Sequence, residues 1–322
     1  MLNNNMFDHS KIDFTVSKHP MYQANGDAID PAIGMVLKRE DSMEPLSVVS
    51  EGYTPVQYHD IVSQVEDGLI ESGINMAGAE FFTGVFNNGS QLELRAKFPA
   101  HEQSIGRLTD MVVPQFVFRT SHNKTWGNNG MVGLWRSMCW NTLVSGSKLA
   151  YTYGRHTKGF SVPTFAAKVK NAAEYIAGDG MTQMNNWFDT MIDRDTIIDM
   201  FSETLASRMD NVKRTKVTNK VMLSHLMKIF DEEARHLHGK SAYGSYASNT
   251  NGSLWCAYNA ATHWSSHVSE SKSDTPQNVR VTREDRVKKM LASPEWLSLE
   301  GTSNEPRAAL YGLNKIYSYG VS

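Results

Sequence analysis

The period of the apolar residues changes near residue 138. Before that point β-rich runs accompany one helical stretch, and after it apolar positions recur at helical spacing. Residues 1–45 are interrupted by Pro20, Gly26, Pro31, Gly34 and Pro45, so an irregular arm is expected there. A short strand over 46–50 and a turn at Gly52-Tyr53-Thr54-Pro55 precede a helix over 59–72. Ile61, Val62, Val65 and Leu69 share one face of that helix, and Gly73 ends it. Residues 79–86 and 91–98 are β-rich runs joined by Asn87-Asn88-Gly89-Ser90, which predicts a hairpin. In its second strand Leu92, Leu94, Ala96 and Phe98 alternate with Gln91, Glu93, Arg95 and Lys97. A strand follows at 111–119, where Pro114 predicts an edge or a bulge. Residues 131–136 are a further candidate strand.

From 139 onward the pattern predicts helices. Pro163 suits a first turn, and Phe165, Val169, Ala172 and Ile176 form the stripe of a helix ending at Gly178. Further helices are expected over 182–192, 196–209, 218–237, 253–268 and 282–292. Polar stretches at 240–252 and 269–277 separate the last three. The fold class is therefore α+β: a small antiparallel sheet with packed helices, followed by a helical C-terminal half. The corresponding divisions are an arm (1–45), an α+β core (46–178), a helical region (179–293) and a tail (294–322).

Composition narrows the setting. The chain has 322 residues, 40% of them hydrophobic and 20% charged, which is ordinary for a globular protein. It has no apolar run long enough to span a membrane and no signal-peptide pattern at its start. Its two cysteines, Cys139 and Cys256, cannot build a disulfide framework. A reducing cytoplasm is the expected location.

Charge changes the picture more. Residues 111–173 contain no Asp or Glu but eight Lys and Arg, interleaved with nine aromatic residues. The rest of the chain has 24 basic and 34 acidic residues, so the positive charge is concentrated in this window. Cations for phosphates and π-faces for bases are what a single nucleic-acid strand needs. Arg119, Lys124, Arg136, Arg155 and Lys158 are the expected phosphate contacts. Trp126, in an Asn/Gly loop, is the aromatic expected outside the core, while Phe116, Phe118, Trp135 and Trp140 are expected within it. Lys213-Arg214-Thr215-Lys216 is a second basic run, either an extension of the path or a solvated loop.

Four clusters carry a resemblance. They are Ser121-His122-Asn123-Lys124-Thr125, Arg136-Ser137-Met138-Cys139-Trp140-Asn141-Thr142-Leu143, Arg155-His156-Thr157-Lys158-Gly159, and Gly252-Ser253-Leu254-Trp255-Cys256-Ala257-Tyr258-Asn259-Ala260-Ala261-Thr262. In this order they resemble the phage- and plasmid-encoded proteins grouped as domain of unknown function 932, over about residues 47–292. The chain departs from that pattern at His122-Asn123-Lys124, where His-Asp-Gly is usual, and at His263, where an acid is common. The resemblance implies a phage or mobile-element context, and with it the cytoplasm of a bacterial host. The order helix, hairpin, strand, helix is also similar, at the level of fold, to single-strand annealing proteins of the eukaryotic Rad type.

Other chemistries have weaker signals. Cys139 with His122 or His156 has the residue types of a thiol nucleophile system, although most free cysteines are small buried hydrophobes. Asn141 would point away from Cys139 on a helix and is expected to satisfy backbone groups or touch a ligand. His263 and His267 lie at i, i+4 with Cys256 upstream, but no HExxH accompanies them, so packing is preferred to metal. No Walker A loop, dinucleotide fingerprint or paired acidic nuclease motif is present, and no cofactor or metal is expected. The expected function is single-stranded DNA binding or annealing by a homo-oligomer through Arg119, Lys124, Trp126, Arg136, Asn141, Arg155, His156 and Lys158. The alternative is a phage protein that modulates a host protein. An enzyme acting on nucleic acid through Cys139, His122 and His156 ranks third.

Overall fold

The computed structural model describes residues 6–106, 110–136, 141–143, 151–154, 170, 179–210, 215–238, 251–267 and 276–301. The fold is α+β, with small antiparallel sheets and with helices mostly in the C-terminal half. Two compact units divide it. The first comprises residues 1–101, 114–132 and 149–174, and the second 102–113, 133–148 and 175–322. Each unit gathers three separate stretches of the chain, because paired strands in the middle of the sequence belong partly to one unit and partly to the other.

The first unit begins with order where an arm was expected. Strands β1 (Val16–Pro20), β2 (Met35–Arg39) and β3 (Pro45–Val49) form an antiparallel meander, with Val16 opposite Arg39 and Met35 opposite Val49. Pro20 and Pro45 are end residues of their strands, where a missing N–H is tolerated. The amide side chain of Gln57 bonds both backbone groups of Val16 at 2.9 Å, which ties the meander to the start of helix α1 (Tyr58–Glu71). Helix α1 buries Ile61, Val62, Val65 and Leu69, the expected stripe, together with Tyr58, and Gly73 follows with φ +69°. The hairpin of β4 (Glu80–Phe86) and β5 (Gln91–Lys97) also forms as expected. Its connection carries positive φ at Asn87, Asn88 and Gly89, the conformation those residue types tolerate best.

The main sheet has the order β10-β8-β7-β5-β4, using β7 (Asp110–Ser121), β8 (Asn128–Arg136) and β10 (Tyr151–Gly154). β6 (Gln103–Ile105) pairs with the start of β7, and β9 (Asn141–Leu143) with the end of β8. β7 is thus a central strand, not an edge. Pro114 is accommodated because it falls between Val112, the last partner of β6, and Gln115, the first partner of β5. Strand structure continues past 138 in β9 and β10, so the switch to helix comes later than the apolar spacing suggested. The helix expected over 163–178 lies outside the described residues, Lys170 excepted.

The second unit contains helices α2 (Met181–Asp189), α3 (Arg194–Glu203), α4 (Lys220–His238), α5 (Leu254–Ser266), α6 (Pro276–Leu291) and α7 (Pro294–Leu299), and α5 is at its centre. Eleven of the thirteen residues of α5 are buried, so it is a core helix without a wet face. α2, α4 and α6 pack against it. Trp187, Tyr258 and Trp296 cluster, with Trp187 and Trp296 edge-on at 5.4 Å. Glu300 accepts hydrogen bonds from both indoles, at 2.6 and 2.9 Å. Two pairs of short strands complete the unit: β11 (Met191–Ile192) with β14 (Gly252–Ser253), and β12 (Ser207–Asp210) with β13 (Thr215–Thr218). Strand β12 occupies residues expected to continue α3. Helix α6 starts six residues earlier than its apolar spacing predicted, at Pro276. The supposed tail opens with α7, capped by Ser293 with Pro294 in the first turn.

Candidate functional site

Of the residues nominated by sequence, Arg119 is buried. Its Nε donates to Glu93 Oε2 at 2.6 Å, and Glu93, itself inaccessible, also accepts from Arg95 at 2.6 Å. Register explains this pairing, since Glu93 and Arg119 are directly opposite on β5 and β7. Arg136 is fully buried in the second unit. Its Nε donates to Asp110 Oδ1 at 2.5 Å and its Nη1 to both oxygens of Glu233, at 2.9 and 2.8 Å. Both arginines were expected to meet phosphate, and in the structure they meet carboxylates from distant parts of the chain. Trp126 was expected outside the core, yet only 5% of it is exposed, edge-on to Phe86 at 6.4 Å.

His122 is also buried, stacked on Tyr58 with centroids 4.4 Å apart. Its backbone bonds Ser90 O at 2.8 Å and accepts from Ser47 Oγ at 2.8 Å. Burial raises the Tyr58 hydroxyl well above its usual range. These contacts make His122 a packing residue. Lys124 is exposed at φ +63°, with Nζ on Val48 O at 2.9 Å. Asn141 lies in β9 opposite Arg136, so the helical geometry used to separate it from Cys139 does not apply. Cys139, Arg155, His156 and Lys158 lie outside the described residues. The nominees that are described fall in two units, and within them Arg119 and Arg136 are buried against carboxylates.

The cluster around Arg136 is the most polar part of the second unit's interior. Trp255 Nε1 donates to Asp110 Oδ2 at 2.8 Å, so both oxygens of that carboxylate are used. Glu233 is held above the ordinary carboxylate range, because desolvation outweighs the opposing pull of Arg136. Nearby, Ser253 Oγ lies 3.0 Å from His238 Nε2 and 3.4 Å from Cys256 Sγ. Burial pushes the Cys256 thiol up to about 11 and lowers His238. A protonated thiol beside an inaccessible serine is packing chemistry, not a nucleophile.

The second unit does carry an open basic groove, along a face that sequence reasoning had passed over. Two clefts of about 520 and 630 Å³ share Asn219, Met222 and Arg286. α6 forms one wall through Asn278, Thr282, Arg283, Arg286 and Lys289, and the start of α4 faces it. Trp264 lies at the base of the first cleft, with the guanidinium groups of Arg283 and Arg286 at 4.9 and 5.4 Å from its ring centroid. Arg283 Nη1 donates to Trp264 O at 2.8 Å. Arg286 is half-buried and bonds Leu205 O and, at 4.0 Å, Met222 Sδ. No carboxylate pairs with it among the described residues, and desolvation lowers its pKa. The second cleft adds Lys216 and Lys289 against Glu203 and Glu295. Lys216 comes from the basic run at 213–216, the one sequence signal that pointed here.

The histidine pair also falls beside this groove. The rings of His263 and His267 are 4.0 Å apart, and Arg283 Nη1 donates to the backbone oxygen of His267 at 3.3 Å. Among the described residues no three His, Cys, Asp or Glu side chains converge as a metal set, and no helix is long and apolar enough to cross a membrane.

A family model described as "Domain of unknown function (DUF932)" matches residues 45–287. No curated protein and no solved structure matches the chain. The matched span is most of the sequence and includes the cluster around Arg136, helix α5 and nearly all of the groove wall in α6. The chain belongs to the family of domain of unknown function 932.

Proposed function

We propose that this protein binds single-stranded DNA, without chemistry, along the groove between α4 and α6, and that it acts in strand annealing or recombination. The observation that carries this reading is Arg286. A guanidinium that is half-buried, stacked against an indole and unpaired with any described carboxylate presents charge that attracts an anion. Arg283, Lys289 and Lys216 extend that charge along both clefts. The cations sit within concave clefts, which admit a flexible single backbone. Duplex readers instead project a helix or ribbon into a groove about 12 Å wide. Exposed Val221 and Met209 on the rims, 82% and 58% accessible, offer apolar contact to bases that the buried Trp264 does not.

Anisotropy of labelled oligo-dT over a salt series tests the reading. Log affinity is expected to fall linearly with log salt, with a slope of about −0.7 for each phosphate neutralised. Arg286→Gln is expected to weaken binding and remove about 0.7 from that slope. Salt-indifferent binding, or an unchanged slope in a folded Arg286→Gln protein, refutes it.

A further inference from the structure

A third cleft, of about 430 Å³, lies on the neighbouring face of the same helix. Val221, Met222 and His225 of α4 line the first cleft, whereas Lys220, Ser224, Lys228, Asp231 and Arg235 line the third. At 3.6 residues per turn these two sets meet along the exposed stripe that carries Val221 and Lys228. The third cleft is lined by four cations, Arg194, Lys220, Lys228 and Arg235, against the single carboxylate of Asp231. That carboxylate is already held by Arg194 in a two-point pair at 2.9 and 3.0 Å. Arg235 Nε is directed to the backbone oxygen of Asp231 at 3.1 Å. Lys220 and Lys228 are exposed, and no described carboxylate pairs with either.

We infer that the third cleft is a second phosphodiester site, and that one strand crosses the exposed first turns of α4 with a segment in each cleft. The inference rests on the nucleic-acid reading above and extends it by giving the site its length and direction. The clefts share a helix wall about 10 Å across, so a strand leaving Arg286 meets Lys220 and Lys228 after a few nucleotides.

Two oligo-dT probes separate the possibilities: one of about 4 nucleotides, sized for one cleft, and one of about 12, sized for both. In Lys220→Gln/Lys228→Gln, affinity for the short probe is expected to stay within about twofold, because the Arg286 cleft holds it. The salt slope for the long probe is expected to drop by about 1.4, for two lost phosphate contacts on a single strand. Lys18→Gln/Lys38→Gln, on the first unit, removes the same charge and is expected to leave both probes unchanged. An unchanged slope for the long probe in Lys220→Gln/Lys228→Gln overturns this inference, as does an equal drop in the control pair. Wild-type protein that binds neither probe overturns the nucleic-acid reading itself.

Discussion

Arg136→Met separates a buried keystone from a surface contact, because the two roles predict opposite results. In the structure the side chain is inaccessible and makes charge-assisted hydrogen bonds to Asp110 and to both carboxylate oxygens of Glu233. Methionine fills similar volume but supplies no donor, leaving two carboxylates in a cavity built for three charges. Breaking a buried pair by removing one partner costs about 3–5 kcal/mol. The upper part of that range does not double for two acids, because Glu233, already raised by desolvation, can take up a proton instead. For a unit of this size about 3–5 kcal/mol corresponds to a fall in Tm of roughly 6–20 °C. Circular dichroism melts give the shift, and the fluorescence of Trp255, which donates to Asp110, reports the same cluster. Adding Asp110→Asn and Glu233→Gln to Arg136→Met is expected to restore most of the loss, since a wholly neutral cluster has no stranded charge. DNA affinity measured well below the lowered Tm is expected to match wild type. A Tm within about 2 °C of wild type, together with a clear loss of DNA affinity, refutes the assignment of Arg136 to the interior.

Three further outcomes follow from the same side chains. The raised Glu233 carboxyl contributes stability that is present below the ordinary carboxylate value and is lost as pH rises through its folded value. The Tm of wild type minus that of Glu233→Gln, followed by calorimetry, should therefore shrink as pH rises from the ordinary carboxylate range through that raised folded value. In a Cys139→Ser background Cys256 is the only thiol, and with its pKa near 11 roughly one molecule in a thousand is thiolate at pH 8. A disulfide reagent should then react only after denaturant is added, and prompt labelling of folded protein contradicts the burial. At Gly252 a Cβ would lie 2.7 Å from Cζ of the buried Phe230, so Gly252→Ala should destabilise by about 1–3 kcal/mol in urea titrations.

Much of the fold was legible because local rules and tertiary packing agree. Helix α1 shows its stripe at i, i+3, i+4 and i+7, and the β4–β5 hairpin has both its alternation and its Asn-Asn-Gly turn in the sequence. Packing against distant elements hid the rest. The β1–β3 meander looks like an arm because its strands are short and bounded by proline. Pro114 looks like an edge because a change of partner strand is invisible along one chain. Asn141 continues the sheet as a short strand, where the apolar spacing already resembled helix.

The site was harder to read, for a reason that follows from electrostatics. A run without acids is not a field, because charge acts through space and the compensating groups need not be neighbours in sequence. The acid-free window begins at Met111, and Asp110, one residue outside it, is the acid that holds Arg136. Glu93 and Glu233, the other two, are 26 and 97 residues from the arginines they bind. Arg286 reverses the case. It lies in a helix with Glu284, Asp285 and mixed cations, where counting suggests neutrality, yet Glu284 is buried beside Arg280 and Asp285 pairs with Lys288. Those pairings leave Arg286 facing the groove, with a backbone oxygen, a thioether and an indole as its described neighbours. A cation is available to a phosphate where folding has assigned the nearby acids to other partners. That condition selects Arg286, Lys220 and Lys228 over Arg119 and Arg136, and it places the charge to be tested on α4 and α6.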